Sequence, residues 1–589
     1  MAKYTALTFA PVQGFIEKSR KLRDLYGSSF LISYLAEAIC KEAEKKEYEV
    51  IVISPALINV TQGTPNQIII KGDFEEKIAR KAMKKAWLAV CETCRQWIED
   101  NVQTCGQYYW HRNWQSWGNY AWEFFWGSGD TIGAAREAVN EAKRSRDWTG
   151  INWTGESSTL SGADGVAWPG MGIGNPQKTN RHKQKQEIAD FYQRLSYRLG
   201  EAFIETAEPK LTIAEDKLAE KTKEYGEGFV DPDEELSIPE LIKRLITHMA
   251  IAKLIVTNLK EEIDRKSPEV QKEIDPNFPA LLKKLEEELN PESFTDISRL
   301  KKGKQYWTGW FQGDGDRMGD LLKKLSEDPD SEPGKLKEFS EAMMKWGEFK
   351  FKPAIKEAIP KAEGRTVYAG GDDFMGIFYD IPKKTPSAQF IPLTGQECVN
   401  WFASEFPSVW KEHKQEISVS VGFVWTAPNV PQRDVLQHCR FAETSAKNNG
   451  KDRMAIRILF NGGTHIEWVC PWWCLPVLQH YQDKDGNTSL SAEKATNKPN
   501  WTHIYNDVAT LESRNAFQGN TQIAEALFKI YFPECENWIN QDNWWVDCYK
   551  DGLRTGILGH EKKDAKKDAT ELFNEWFINL AKVGFHLCP

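Results

Sequence analysis

Hydrophobic and polar positions first mark out an alternation of strand and helix patterns at the start of the chain. Tyr4–Phe9 has the spacing of a strand, and after a short break a helical stripe of apolar residues begins at Phe15. A second helix is predicted to begin at Ser28 or Ser29 as its N-cap, ahead of a strand at Val50–Ser54. Strands that alternate with helices in this way favour an α/β fold.

The same strand-loop-helix pattern recurs about 300 residues later. Tyr306–Phe311 is apolar at strand spacing, a helix is predicted over Met318–Leu325, and a long helix is predicted around Phe339–Ile359. Further strands are predicted at Thr366–Ala369, Phe374–Phe378 and Ile417–Trp425. The two units therefore resemble a weak internal repeat.

Charged helices occupy the region between the two units, for example Ser237–Leu259 and Pro279–Leu289, and the chain becomes tryptophan-rich and mostly helical after about Phe460. A chain of 589 residues is expected to form several domains of roughly 100–200 residues. We predict a first α/β domain with a helical insertion at 1–170, a helical middle domain at 171–300, a second α/β domain at 301–460 and a C-terminal helical domain at 461–589.

Charge and hydropathy exclude two broad classes of protein. The formal net charge of −9 argues against a protein that coats nucleic acid by electrostatics alone, because such proteins carry a basic excess. No stretch approaches the roughly 20 apolar residues that span a bilayer, and no secretory signal is evident at the N-terminus. We expect a cytoplasmic protein without a membrane segment.

The 11 cysteines are expected to be reduced thiols. Cys91, Cys94, Cys105 and His111 are residue types that could hold zinc. However, tryptophan and valine recur through the same segment at helical spacing, which favours buried thiols on a helix face.

Two adjacent carboxylates lie between two apolar strand patterns, at Gly370–Asp373. This placement predicts the tip of a β-hairpin. Glycine permits positive φ angles and close approach of the backbone to a phosphate, and Asp372 and Asp373 supply the oxygen ligands that Mg²⁺ or Mn²⁺ prefers. A tight turn without any catalytic role would have the same composition.

A second acidic segment, Gly313–Asp320, follows the strand predicted to end at Phe311 and leads into a helix N-terminus. Such a terminus offers free N–H groups to a triphosphate, and Asp314 could complete a metal site with Asp372. Two metals held there would polarise an α-phosphate and activate an attacking 3′-hydroxyl. The alternatives are a calcium-binding acidic loop and a solvated turn.

Four segments together resemble the GGDEF/palm nucleotide cyclases, and they occur in the same order as in that family: Asp314–Asp316, Gly370–Asp373, Ser418–Gly422 and Ala446–Gly450. The resemblance implies a palm of the ferredoxin-like βαββαβ type. It also implies that Asp314, Asp316, Asp372 and Asp373 bind metal, that Asp372 and Asp373 are catalytic, and that Lys447 pairs with phosphate. Gly315, Gly370, Gly371 and Ser420 would complete the nucleotide-binding set.

The N-terminal segments Pro11–Ile16, Arg20–Leu25 and Gly27–Ser29, with Glu235–Leu241, resemble the Cmr-type (III-B) large subunit of type III CRISPR effectors, the Cas-ten family. This resemblance implies two palm domains, at 1–170 and 301–460, plus two helical domains, so that the fold class is α/β (α+β). It implies a metal-dependent nucleotidyltransferase or cyclase that makes cyclic oligoadenylates from ATP with Mg²⁺ or Mn²⁺. The implied partners are crRNA, target RNA and other Cmr subunits.

The chain departs from this family at two places. Many members begin with an HD nuclease domain, whereas here none of the 10 histidines is followed by Asp, so nuclease activity is expected to be absent. Where relatives often carry a Cys-x-x-Cys zinc knuckle, Glu156–Gly162 has serines, and serine hydroxyls do not replace zinc thiolates. Structural zinc is therefore not expected.

Two rival hypotheses belong to other functional classes. The protein could be a catalytically silent scaffold that binds nucleotide and holds crRNA and target RNA. Alternatively, it could be a free-standing GGDEF-like cyclase that uses GTP, although the paired palms and the large helical regions argue against that.

Overall fold

The structure, a computed structural model, divides into two units. It describes residues 3–57, 63–103, 107–146, 150–173, 180–206, 213–255, 306–326, 328, 331–380, 391–482, 484, 499–518, 522–539, 556–559 and 566–588. The first unit comprises Met1–Ser298 with Leu325–Glu341, and the second comprises Arg299–Lys324 with Ala342–Pro589. The predicted helix at Pro279–Leu289 and Cys105 lie outside the described residues.

The described chain mixes helices and strands. The strands are β1 Tyr4–Ala10, β2 Ile51–Ser54, β3 Ile68–Lys71, β4 Glu123–Gly129, β5 Thr308–Gly315, β6 Glu363–Ala369, β7 Phe374–Tyr379, β8 Val419–Thr426, β9 Arg453–Leu459 and β10 His465–Pro471. The helices are α1 Gln13–Glu17, α2 Leu22–Ala43, α3 Glu76–Asn101, α4 His111–Tyr120, α5 Ile132–Arg144, α6 Arg181–Thr206, α7 Leu218–Phe229, α8 Ile238–Leu245, α9 Met318–Ser326, α10 Glu332–Trp346, α11 Lys352–Glu357, α12 Gly395–Ser404, α13 Phe406–Lys411, α14 Gln432–Asn448, α15 Trp501–Ser513, α16 Gln522–Tyr531 and α17 Lys566–Leu587.

Each unit contains one palm sheet, and the two sheets share a strand order. In the first unit the order is β2-β3-β1-β4, and all three pairings are antiparallel. In the second unit β6-β7-β5-β8 repeats that order, again antiparallel, and helices connect the corresponding strands. The predicted βαββαβ palms and the internal repeat are confirmed.

The second sheet continues beyond its palm. Helix α14 connects β8 to β9, which run parallel, and β9 forms an antiparallel hairpin with β10. Strand β10 lies after residue 460, where the sequence predicted a mostly helical region, so the sheet is two strands wider than the predicted palm. The four domain boundaries remain a prediction.

The predicted N-cap at Ser28 or Ser29 is wrong, because α2 already begins at Leu22. The Asp24 carboxylate, in the first turn, accepts hydrogen bonds from the backbone N–H groups of Arg20 (2.8 Å) and Lys21 (2.9 Å). A side chain in the first turn of α2 thus caps the N-terminus of that helix. Ser28 donates instead to the Asp24 carbonyl at 2.6 Å, as interior serines often do.

A buried ion network packs α2 against α8 in the first unit. The Arg244 guanidinium, fully buried, donates to Asp24 at 2.7 Å and also pairs with Glu234. At Gly27 a Cβ atom would lie 2.1 Å from the Lys243 carbonyl oxygen, so only glycine allows the two helices to approach this closely. Helix α8, which lies within the predicted helix Ser237–Leu259, therefore packs directly on α2 of the first palm and ends at Leu245.

The other sequence expectations concern cysteines and membranes. Cys91 and Cys94 are buried on α3, as the helical spacing predicted. In Glu156–Gly162, where relatives often carry a zinc knuckle, Ser158 lies 3.2 Å from both the Glu240 carboxylate and the Ser161 hydroxyl. None of the described helices is both long and apolar enough to cross a bilayer.

Candidate active site

The two acidic segments meet where strand β5 ends beside the β6–β7 hairpin. Gly371 has a φ of 104°, a conformation that glycine adopts at little cost, so the turn carries Asp372 and Asp373 at its tip as predicted. The Gly315 N–H donates to the Asp372 carbonyl at 3.2 Å. A Cβ atom on Gly315 would lie 2.9 Å from that of Asp372, so the glycine keeps the two segments in contact.

An aromatic core holds the hairpin in place from below. Phe374, the residue after Asp373, is fully buried, and its ring lies 4.7 Å from that of Phe351 and 5.8 Å from that of Trp346. Gly313 on β5 faces this ring, and a Cβ atom there would lie 2.1 Å from it. Apolar packing thus fixes the position of the adjacent carboxylates.

Asp316 connects its own motif to Ser418–Gly422 and to the loop just after Ala446–Gly450. Its buried carboxylate accepts hydrogen bonds from the hydroxyls of Ser418 (2.9 Å) and Ser420 (2.7 Å), and from the N–H of Asp452 at 2.9 Å. The Asp316 N–H donates to the Ser418 carbonyl at 2.8 Å. A carboxylate with three protein donors is well satisfied without a metal ion. Ser420 is fully buried and already donates to Asp316.

Helix α14 brings a lysine and a further acid to the same place. The Lys447 ammonium contacts the Asp314 carboxylate and lies 2.8 Å from the Glu443 carboxylate, one turn earlier on α14. The helix can lie this close to the sheet because Gly422 on β8 has no side chain, and a Cβ atom there would lie 2.3 Å from the Glu443 nitrogen.

Glu443 is the site residue that sequence reasoning missed. It is 7% exposed. Its spacing could have indicated it, because a glutamate four residues before a lysine on a helix can form an ion pair with that lysine. The predicted segment began only at Ala446, which excluded it.

Burial and like charges shift the pKa values of the acidic groups upward. Burial, together with the neighbouring charge of Asp373, raises the pKa of Asp372 to about 7, and burial raises the pKa of Asp373 to about 6. Burial, with the charges of Asp373 and Asp316, raises the pKa of Glu443 to about 7. The site therefore holds more negative charge than its surroundings stabilise.

The Lys447 ammonium does not neutralise these carboxylates. Burial, reinforced by nearby Lys451, lowers the pKa of Lys447 to about 8 although two carboxylates contact it. Among the described residues, no Lys, Arg or His forms an ion pair with Asp372 or Asp373.

The donor set fits a divalent cation, although the described residues do not form a closed metal cluster. Among the described residues, no three or more Asp, Glu, His or Cys side chains lie close enough together to hold a metal ion. Asp314, Asp372 and Asp373 nevertheless supply hard oxygen ligands, and the Lys447 ammonium already occupies a cation position beside Asp314. The excess negative charge around them is the feature that a metal ion would offset.

The structure thus places the predicted site residues at one edge of the second sheet, in different roles. Asp314 is paired with Lys447, Asp372 and Asp373 form no ion pair among the described residues, and Asp316 and Ser420 are bonded to each other. The Gly370 N–H donates to the Asp373 carbonyl at 3.2 Å, which closes the turn.

Two family models match parts of the chain. Residues 308–455 match the model described as Cas10/Cmr2, second palm domain, and this range contains all four motifs. Residues 4–92 match the model described as CRISPR-associated protein Cmr2, N-terminal. No curated protein sequence matches the chain.

Several solved structures resemble the chain at low identity. A chain of the apo cryo-EM structure of type III-B Cmr-beta is 11% identical, with 90% of this chain and 77% of that chain covered and a TM-score of 0.49. A chain of the cryo-EM structure of type III-B Cmr-beta bound to cognate target RNA is 11% identical, with 98% of this chain and 83% of that chain covered and a TM-score of 0.47. A chain of the crystal structure of a Csm1-Csm4 cassette in complex with pppApA is 12% identical, with 100% of this chain and 69% of that chain covered and a TM-score of 0.42. Likeness at this level does not bear on activity.

Proposed function

We propose that this chain, a CRISPR-associated protein of the Cas10/Cmr2 type by its second palm domain and its Cmr2 N-terminal region, polymerises ATP into cyclic oligoadenylates. The reaction would take place at the second palm, with Mg²⁺ or Mn²⁺, as part of a type III-B ribonucleoprotein that has bound target RNA. The matched second palm domain is the link to the Cas10/Cmr2 family, and the assignment of the reaction is our inference.

The observation that carries the proposal is the pair Asp372 and Asp373. Both carboxylates have raised pKa values, and neither has a cationic partner among the described residues. Asp372 is half-buried and Asp373 is exposed, and acids with raised pKa values in a cleft commonly mark a site that binds a cation or moves a proton. The aromatic anchor at Phe374 keeps them in place in the absence of a ligand.

Each residue at the edge of the sheet has a distinct proposed task. Asp314, Asp372 and Asp373 would hold the metal ions, which supply Lewis-acid stabilisation of the α-phosphate and lower the pKa of the attacking 3′-hydroxyl. Lys447 would pair with a phosphate after it leaves Asp314. Asp316 would act as a positioning residue, because its three hydrogen bonds fix the end of β5 against β8 and the loop that follows α14.

The backbone of the turn would serve the nucleotide. Gly371 at positive φ, together with Gly370 and Gly315, leaves the backbone without side chains beside the carboxylates. A triphosphate can therefore approach the turn closely. The first palm would hold the acceptor nucleotide, and crRNA, target RNA and other Cmr-type subunits would be the partners.

The test is to assemble the complex with matching RNA, ATP and Mg²⁺ and to identify small products by mass spectrometry. We expect oligoadenylates that require Mg²⁺ and disappear in Asp372→Ala/Asp373→Ala. Equal product from that double variant would refute the site.

A nucleotide-binding scaffold is the second candidate function. The observation that favours it is the Lys447 ammonium on Asp314, since a permanent ion pair there would block a metal ligand. In that case nucleotide would bind in the presence of metal and target RNA, but no pyrophosphate would be released. A pyrophosphate assay on the same assembled complex separates the two functions.

A further inference from the structure

We propose that Glu443 is a positioning residue that retains the Lys447 ammonium while Asp314 exchanges that ammonium for a metal ion. The inference rests on the proposed function, because it assigns the metal site to Asp314 and its neighbours. It adds a residue outside the four motifs and gives it a task of its own.

The geometry shows why one lysine needs two partners. Lys447 contacts Asp314 on β5 and, at 2.8 Å, Glu443 on its own helix. A metal ion bound to Asp314 would repel the ammonium and remove that contact. The contact with Glu443 is local to α14, so it can persist when the contact with the strand is lost.

Burial makes this second partner necessary. Lys447 is only about one-quarter exposed, and Glu443 is 7% exposed. An ammonium that lost Asp314 without another carboxylate would remain partly buried and unpaired, which is costly. Without Glu443, Lys447 would therefore hold Asp314 more tightly, and metal binding would have to overcome the whole of that attraction.

The backbone also commits Glu443 to this position. Because α14 lies directly on Gly422, with 2.3 Å between a built Cβ atom and the Glu443 nitrogen, the sheet fixes the backbone of Glu443. That backbone cannot move away without shifting the helix. This rigidity suits a residue whose task is to hold another side chain.

The test measures Mn²⁺ binding to the full chain by electron paramagnetic resonance, first without nucleotide. Glu443→Gln should weaken Mn²⁺ binding about tenfold, the equivalent of one charged hydrogen bond, whereas Lys447→Gln should strengthen it. Asp434→Asn, which removes one negative charge from an exposed position of the same helix, is the matched control and should change little.

The double variant Glu443→Gln/Lys447→Gln decides how Glu443 acts. If Glu443 acts through Lys447, most of the loss caused by Glu443→Gln should vanish in the Lys447→Gln background. A non-hydrolysable ATP should also restore most Mn²⁺ binding to Glu443→Gln, because the triphosphate gives Lys447 a new partner.

Two results would overturn the inference. A loss of the same size in both backgrounds would make Glu443 a direct metal ligand, and the proposed function would stand. No Mn²⁺ binding by the wild-type chain, with or without nucleotide, would overturn the proposed function and this inference together.

Discussion

The two palm sheets have the same strand order, but they differ in how the polar groups at corresponding strand ends are satisfied. In the first palm, Asn66, which follows β2, donates to the Thr8 hydroxyl at 2.9 Å and to the Phe9 carbonyl at 3.1 Å. The connection 55–67 contains no Asp or Glu. In the second palm, the corresponding edge carries Asp314, Asp372 and Asp373, with one ammonium among them.

The shared strand order of the two palms therefore does not determine which polar groups lie at their strand ends. At this strand end of the first sheet, the neutral groups of Asn66, Thr8 and Phe9 satisfy each other. At the edge of the second sheet, Asp372 and Asp373 form no ion pair among the described residues, and it is there that we propose a cation binds. The first unit places its buried charges elsewhere, between α2 and α8, where Arg244 has two carboxylate partners. In the first unit Arg244 pairs with buried carboxylates and stabilises the fold, whereas in the second unit Asp372 and Asp373 have no cationic partner among the described residues.

The largest effect is expected from breaking the paired charges of the first unit. Arg244→Leu would leave the buried Asp24 without its cation and would leave Glu234 only Lys21 and Arg20, so the first unit should lose about 3–5 kcal/mol of unfolding free energy. Hydrogen exchange followed by mass spectrometry should show faster exchange in β1 and α2 peptides, with β5 and β7 peptides unchanged. The control Arg194→Leu removes an exposed ion pair and should cost little. Equal effects of the two variants would contradict the assigned role.

The next effect depends on pH and also belongs to the first unit. Burial lowers the pKa of His248 to about 4, and the neutral ring uses both nitrogens, Nε2 toward the Leu199 carbonyl (3.0 Å) and Nδ1 toward the Ala250 N–H (3.2 Å). The unfolded chain takes up the proton near pH 6.5 and the folded chain only near pH 4. Stability should therefore fall by roughly 3 kcal/mol as pH drops through that window, with no further loss below it.

Denaturant titrations between pH 4 and pH 7 measure this dependence. His248→Gln should flatten the curve, whereas His111→Gln, at an exposed position, should keep it. An unchanged slope in His248→Gln would show that other groups cause the dependence.

A smaller loss is expected where apolar packing positions the second-palm acids. Gly313→Ala places a methyl group 2.1 Å from the Phe374 ring, so unfolding of the second unit should become easier by about 2 kcal/mol, with weaker Mn²⁺ binding. Gly319→Ala is the matched control, because nothing lies within 4 Å of its added Cβ atom. Normal Mn²⁺ binding in Gly313→Ala would show that the hairpin does not depend on this contact.

The smallest effect is expected at Asp316. Asp316→Asn keeps one acceptor oxygen but loses the charge that three donors share, and should cost about 1 kcal/mol of stability. We expect Mn²⁺ binding to weaken by less than in Asp372→Asn. If the order were reversed, Asp316 would be a metal ligand and not a positioning residue.

Local patterns predicted the parts of the site that depend on neighbouring residues. The glycines and carboxylates of Gly370–Asp373 predicted the hairpin tip because a tight turn between two apolar strands is a local property. The start of α2 was missed because Asp24 caps the helix from its first turn, while Ser28, a good N-cap by type, lies in the interior. Strand β10 was missed because the tryptophan-rich segment around it suggested helices.

The roles within the site depend on contacts between residues distant in sequence. Asp316 bonds to Ser418 and Ser420, more than 100 residues later, and no local pattern indicates that those hydroxyls satisfy it. Glu443 enters the site only because Gly422 allows α14 to lie on β8. The resemblance to a family implied roles for the motif residues, and the hydrogen bonds of Asp316 distinguish this bonded carboxylate from Asp372 and Asp373.

The most direct test of the central claim is to locate the metal. The full chain should be crystallised with Mn²⁺ and a non-hydrolysable ATP, and anomalous scattering should be recorded at the manganese edge. We predict density about 2 Å from carboxylate oxygens of Asp314 and Asp372, with Lys447 moved from Asp314 to a phosphate and still beside Glu443. A bound nucleotide with Lys447 still on Asp314 and no manganese at the second palm would contradict the account.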